Sequence, residues 1–290
     1  IEQPFESQES AFDSDNDLLN REYEMSKYTI KATNQDVYVD SQARERRPYE
    51  GDLLVNGNTS FVVSSKYSLN RHSMDYLIDN PTWPEDYKLY SIEMAWQDYL
   101  YTGNDEFLKN RYTDLTYKLN RGKNEESFDG ASQDFKGSLK NTKGVDNFDE
   151  EVGLVTNDGL IDWPIPERDG FVEGEYNTPF NAIFYGAYLS MSKIADVVGH
   201  HADADHYRSR AARIKKELIN RMYDPKTGRF YDSMNKDLSI NKHTSHHATA
   251  YALCYGVYAD QQMADKMSRF VANDGKFVGS IYFIYFMLKG

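Results

Sequence analysis

One amphipathic segment after another repeats at helical intervals along this chain, with almost no alternating stretch between them, and that pattern limits the folds open to it. The spacing of apolar residues predicts a helix in the Asp15–Gln35 segment. Others follow over 53–68, 70–79, 85–101, 104–120, 179–198 and 203–222, then at about 244–258, 260–272 and 278–289. Gly103 and Gly199 fall between consecutive segments and mark tight helix–helix joints. Helix after helix with short joints defines an all-α class. No fixed-period repeat is visible, which disfavours a solenoid. A double ring of helices is the alternative that fits, with its inner helices all running one way.

The 290 residues are enough for one large domain or two small ones. With 40% hydrophobic residues, including 23 Tyr, 15 Phe and 3 Trp, a sizeable core can be buried. An aromatic share of 14% suits a sugar-binding protein, whose flat rings match the C–H faces of pyranoses, and equally a Tyr-rich helical core. The net charge of −13 argues against nucleic acid or an anionic membrane as partner. No run of ~20 apolar residues could span a bilayer. Cys254 is the single cysteine, which excludes an intrachain disulfide and says little about compartment. The chain begins at Ile1, so the expectation is that an N-terminal segment has been removed or left out; a leader among it would favour a periplasmic or extracellular location over a cytoplasmic one. Residues 1–14 are polar and acidic and read as a lead-in, with the domain proper over 15–290. Residues 122–150 lack periodicity and read as a long surface loop.

The stretch DSQARERRPYEGD (40–52) carries the strongest chemical signal. It sets Asp40, Glu45, Glu50 and Asp52 beside Arg44, Arg46 and Arg47. Pro48 argues against a plain charged helix face, because proline loses a backbone bond and pushes Arg47 toward extended geometry. A structured loop results, delivered by the short extended run Val37-Tyr38-Val39 and ending at Gly51-Asp52, where Asp52 can cap the next helix. Crowding carboxylates among guanidiniums pushes pKa values apart, as in an active site, although structural ion-pair networks look similar.

This run resembles the signature of family 78 glycoside hydrolases, the inverting α-L-rhamnosidases, in which an Asp…Arg-Glu-Arg…Gly-Asp segment opens a catalytic (α/α)6 barrel. The runs 80–104 (NPTWPEDYKLYSIEMAWQDYLYTGN), 159–170 (GLIDWPIPERDG), 177–182 (NTPFNA) and 243–253 (HTSHHATAYAL) fall in the family's order. The resemblance covers nearly the whole chain. It implies an all-α (α/α)6 toroid of six helical hairpins and a glycosidase releasing terminal α-L-rhamnose from an oligosaccharide or glycoside, without a cofactor. Six hairpins need twelve helices where the sequence offers nine or ten, and the chain stops within the apolar run IYFIYFML. The expectation is therefore a toroid incomplete in this chain and continuing past Gly290.

Inverting glycosidases use one protonated carboxyl for the leaving oxygen and a second carboxylate, roughly 6.5–9.5 Å away, to activate water. The resemblance puts Glu45 in the acid role, with an ion pair to Arg46 or Arg47 as the plain alternative. Asp40 and Asp52 would complete the catalytic group by accepting bonds from sugar hydroxyls, with Arg44 as a further sugar contact. Tyr49 stands where relatives carry an aromatic residue that stacks on the sugar. No stretch of the chain matches the segment that carries the family's general base.

Trp83, in a Pro-flanked loop, and Trp163, in Asp162-Trp163-Pro164, are expected to line the pocket, an indole face suiting the apolar C6 methyl of rhamnose. Arg168-Asp169-Gly170 reads equally as a salt-bridged turn, and Asn177 and Asn181 as the cap of an inner helix. His243, His246 and His247 have a spacing that invites a metal, but no further ligand motif supports one, and no metal is expected. The resemblance makes His247 and His243 pocket-lining hydrogen-bond donors. Two rival functions fit the same ring: an unsaturated uronyl hydrolase and a catalytically silent carbohydrate-binding barrel.

Overall fold

The computed structural model of the protein describes residues 10–82, 84–120, 146–156, 159–273 and 278–290. Ten helices lie among the described residues: α1 (Asp17–Thr33), α2 (Glu50–Val63), α3 (Ser68–Asp79), α4 (Lys88–Thr102), α5 (Glu106–Lys118), α6 (Thr178–Val197), α7 (His201–Met222), α8 (His246–Cys254), α9 (Gln261–Asn273) and α10 (Ile281–Lys289). Each expected helix is present. Gly103 and Gly199 adopt φ of +66° and +87°, a left-handed conformation that ends α4 and turns the chain between α6 and α7.

The helices form two layers, and the sequence explains which belongs where. α6 is apolar around most of its circumference and buries Phe180, Ile183, Phe184, Ala187, Tyr188, Met191 and Ile194. α7, joined to it by Gly199, buries one stripe only: Ala204, Tyr207, Ala211, Ile214, Leu218 and Met222. These follow three- and four-residue steps, so one face packs and the other meets water. The even-numbered helices touch in succession, α2 to α4 to α6 to α8 to α10, while α1, α3, α5, α7 and α9 pack outside them. This is the curved double layer of an all-α toroid.

Short strands decorate the ring without adding a layer. β1 (Phe148–Asp149) pairs with β2 (Leu154–Val155), and β4 (Tyr223–Asp224) with β5 (Arg229–Phe230), both antiparallel. β3 (Tyr176–Asn177), β6 (Ser233–Met234) and β7 (Ile240–Asn241) make a three-stranded antiparallel patch just ahead of α6 and α8. Asn181 fastens β2 to α6: its side chain accepts from the Val155 N–H at 2.7 Å and donates to the Val155 carbonyl at 3.0 Å. Asn177 and Asn181 were expected to cap α6. Asn177 does sit at the cap position, but its side chain reaches back to both backbone groups of Gly174 at 3.0 Å.

Boundaries differ most at two places. α2 starts at Glu50, three residues before the expected start, so Asp52 lies inside the first turn instead of ahead of it. Burial of Glu50 drives this, because its carboxylate accepts from the Thr82 N–H at 3.1 Å and from the Thr82 hydroxyl, pinning the first turn of α2 to the segment entering α4. α8 stops at Cys254, short of the expected end near 258, since Gly256 turns away at φ +78°.

Candidate active site

The inner helices begin at one rim, and the residues ahead of them build the site. The loop 40–47 closes on itself. The Asp40 N–H donates to the Arg47 carbonyl at 3.0 Å, and the Asp40 carboxylate accepts from the Arg47 N–H at 3.1 Å. Pro48 and the extended Tyr49 then lead into α2. This closure returns Glu45 toward Tyr49, whose phenol donates to Glu45 Oε2 at 2.8 Å. Arg44 pairs with the other Glu45 oxygen at 2.5 Å, leaving the guanidinium 78% exposed and Glu45 31% exposed. Arg46, at φ +55°, turns its Nε to the Gln42 carbonyl at 2.8 Å, so the expected alternative of a Glu45–Arg46 pair is not what forms.

Asp52 completes a group of three carboxylates with Asp40 and Glu45. Burial, together with the charges of Asp40, Glu45 and Glu50, pushes its carboxyl up to about 7, against the opposing pull of the backbone N–H at the helix start. Burial, helped by the Glu45 hydrogen bond and charge, raises the Tyr49 phenol well above its ordinary range, so it stays protonated and remains a donor.

Gly51 lets α2 approach α4 closely: a Cβ there would lie 2.7 Å from the Tyr87 ring. Tyr87 also lines a cavity of about 410 Å³, together with Leu160, Asp162, Trp163, Glu167 and the 279–282 segment. Tyr87 and Tyr282 form part of its wall, with ring centroids 5.7 Å apart. The Tyr282 hydroxyl donates to Tyr90 at 2.9 Å, linking the start of α10 to the start of α4. Trp163 stands at the mouth, 55% exposed.

Asp162 ties the cavity together. It is fully buried and accepts from the Trp163 N–H and the Ser280 N–H, each at 2.8 Å, from the Ser280 hydroxyl, and from His247 Nε2 at 2.9 Å. Burial alone would raise its pKa, yet the bonds from His247 and Ser280 prevail and hold the carboxyl below the usual carboxylate range. One side chain thus fastens the 159–163 wall, the start of α8 and the start of α10.

The run of histidines is dispersed among three separate carboxylates. His243 Nδ1 meets Asp232 at 2.7 Å, His246 Nδ1 meets Asp169 at 2.8 Å, and His247 takes Asp162. Among the described residues no cluster of three or more His, Cys, Asp or Glu is arranged to hold a metal ion. His247 was expected to line the pocket. It sits one layer behind, fully buried and stacked on Phe283 at 3.9 Å, and reaches the cavity only through Asp162. His243 packs over Gly170 beside the three-stranded patch and is absent from the cavity wall. The Arg168-Asp169 pair expected to close a turn instead splits, Arg168 binding Glu173 at 2.8 Å and Asp169 the start of α8.

The structure therefore brings Asp40, Arg44, Glu45, Tyr49 and Asp52 together in one loop-and-helix unit. Trp163 lies in the adjoining cavity; Trp83 lies outside the described residues. Reading the sequence missed Tyr87, Glu167, Ser280 and Tyr282. Glu167 was within reach, four residues past Trp163 in the same Pro-rich turn, and its carboxylate makes no hydrogen bond or ion pair among the described residues. Tyr87 and Tyr282 carry no local signal, since a tyrosine opening a buried helix reads as core.

Comparison with known families decides the kinship. The bacterial α-L-rhamnosidase six-hairpin glycosidase domain model matches residues 7–279. The chain belongs to this family. The rhamnosidase-type domain resembles a GH78 family rhamnosidase of Bacillus sp. GL1 at 17% identity and a TM-score of 0.77, over 99% of this chain and 29% of that one. It also resembles a rhamnosidase from Klebsiella oxytoca with rhamnose bound, at 14% identity and a TM-score of 0.72, over 97% of this chain and 53% of the other. The rhamnosidase-type domain thus spans about half or less of the length of these two proteins, and identities this low speak for the fold alone. No curated protein matches the sequence.

Proposed function

We propose that the protein is a glycoside hydrolase that releases terminal α-L-rhamnose from glycans or glycosides by single displacement with inversion. The observation that supports this most is the closed 40–47 loop, which holds Asp40 and Glu45 beside Asp52 at the rim where the inner helices begin, next to a cavity walled by an exposed indole. A 410 Å³ cavity accommodates one monosaccharide with part of its neighbour. Trp163 offers a flat apolar face to the C5–C6 edge of a deoxysugar. Glu167, Asp40 and Glu45 offer carboxyl oxygens that accept bonds from the ring hydroxyls.

In the reaction one carboxyl of the trio protonates the glycosidic oxygen as the C1–O bond breaks, and water adds to C1 from the opposite face. The family match over 7–279 supports this substrate class over a 4,5-unsaturated uronide. The test sets an aryl α-L-rhamnoside beside an unsaturated uronide and follows the released sugar by proton NMR. Initial formation of β-L-rhamnose from the first, with no release from the second, is the expected result. Initial α-L-rhamnose would refute inversion, and turnover of the uronide alone would refute the substrate class.

A further inference from the structure

We infer that the cavity selects the leaving group by charge. It takes a rhamnoside whose aglycone is neutral and apolar beside the scissile bond and turns away one that carries a carboxylate there, such as a uronate, with Glu167 setting the choice. This rests on the rhamnoside hydrolysis proposed above and names which rhamnosides it serves. The composition of the wall carries it. Tyr87, Leu160, Trp163, Ile281 and Tyr282 offer apolar surface, Ile281 almost wholly exposed at the mouth. Apart from the phenols, the ionisable groups of the wall are Asp162 and Glu167, both acids. No Lys, Arg or His lines the cavity among the described residues.

The guanidiniums next in the chain and on the 40–47 loop are engaged elsewhere. Arg168 gives its Nε to the Asp162 carbonyl and its Nη1 to Glu173, each at 2.8 Å. Arg44 pairs with Glu45 at 2.5 Å. Tyr87 registers the field at the wall. Burial first, and then the charges of Asp86, Asp52 and Asp162, raise its phenol well above the ordinary range. A carboxylate brought beside it meets the same repulsion, which is stronger against apolar walls than in bulk water.

Glu167 differs from Asp162 in what its oxygens already hold. Asp162 uses both of its own on the Trp163 N–H, Ser280 and His247. The Glu167 carboxyl has no partner among the described residues. Its backbone is fixed, the Glu167 N–H donating to the Pro164 carbonyl at 2.9 Å and the Arg168 N–H to the Ile165 carbonyl at 3.0 Å. One short turn thus presents an indole and a carboxyl together. The indole offers an apolar face to the leaving group. The carboxyl accepts from a hydroxyl and repels an anion, so a wrong partner is rejected as well as a right one held.

The test sets 4-carboxyphenyl α-L-rhamnoside beside its methyl ester at neutral pH, on wild type, Glu167→Gln and Glu167→Lys. The two substrates differ by one charge on the aglycone. Comparing their kcat/KM ratio between proteins cancels the intrinsic difference in leaving ability. Wild type is expected to favour the ester by about tenfold or more at low salt, with the preference shrinking as salt is added. Glu167→Gln should cut the ratio several-fold, and Glu167→Lys should lower it further, toward the acid. A merely structural role would slow both substrates and leave the ratio where it was. An equal ratio in wild type and Glu167→Gln, whatever the absolute rates, therefore overturns the role of Glu167. A wild type that favours the acid overturns the charge selection itself. A protein that cleaves neither substrate refutes the hydrolysis reading, and calorimetric binding of the two compounds then decides the selection alone: tighter binding of the ester upholds it and equal binding overturns it.

Discussion

The Tyr49 phenol donates to Glu45 Oε2 at 2.8 Å, which makes an aromatic residue of the loop a holder of its central carboxylate. The sequence pointed to a sugar-stacking role for Tyr49; the closed loop turns its hydroxyl inward to Glu45. A hydrogen bond to a charged group contributes about 1.5–3 kcal/mol. Tyr49→Phe should therefore lower kcat/KM on an aryl rhamnoside about ten- to a hundredfold and lower the melting midpoint by several degrees. An unchanged kcat/KM would show that the phenol does not govern Glu45.

Trp163 presents most of its indole to the cavity mouth, and few of its contacts hold the fold together. Trp163→Ala should change unfolding free energy by less than about 1 kcal/mol while raising KM for rhamnosides roughly tenfold. Steady-state kinetics beside urea unfolding separate the two effects. A large loss of stability with KM unchanged would make the ring a brace.

Two buried carboxyls should give stability opposite pH slopes. Asp86, 2% exposed, accepts the Leu160 N–H at 3.3 Å and is pushed up to about 7 by burial, against that bond and with Glu85 and Glu50 adding. Its folded pKa exceeds the unfolded one, so its contribution is full below about 4 and is lost as pH rises through about 7, on the order of 3–4 kcal/mol in all. Asp162 is depressed, so its contribution is present above the unfolded pKa and is lost as pH falls through the folded one. Asp86→Asn should flatten the decline in melting temperature between pH 4 and about 7 while sparing the loss in more acid solution. An unchanged slope in that window would remove Asp86 as its source.

Glu50 and Lys118 are buried together, and burial pushes both toward neutrality, Glu50 upward and Lys118 down to about 8, against their mutual attraction. Lys118 also donates to the Ile78 carbonyl at 2.6 Å, so the two groups hold the end of α3 and the segment entering α4. Glu50→Ala strips the partner from the Thr82 N–H and removes the largest negative charge acting on the ammonium, at a cost of about 3–5 kcal/mol. Chemical unfolding measures this directly. Lys118→Met, which removes the buried charge and keeps the volume, should cost less.

Much of the site was legible in the chain because its chemistry is local. Asp40, Glu45, Tyr49 and Asp52 lie within thirteen residues, and a proline there forbids the alternative of a plain helix. Their roles were not legible. Which carboxyl has a donor depends on the closure between Asp40 and Arg47, and on Arg44 reaching its neighbour while Arg46 turns back to Gln42. The three histidines show the same limit, since their i, i+3 and i+4 spacing is open to a shared ion or to three separate carboxylates.

By itself the sequence determined the helices, because periodicity and apolar breadth are properties of a segment: a stripe for α7, a nearly full circumference for α6. Only the tertiary structure decided the cavity. Its wall joins Tyr87, Asp162, Glu167 and Ser280, residues up to 193 positions apart whose meeting depends on how the start of α10 packs against Asp162 and α4. Burial and charge at such a meeting are sums over neighbours remote in the chain, and no local pattern encodes them.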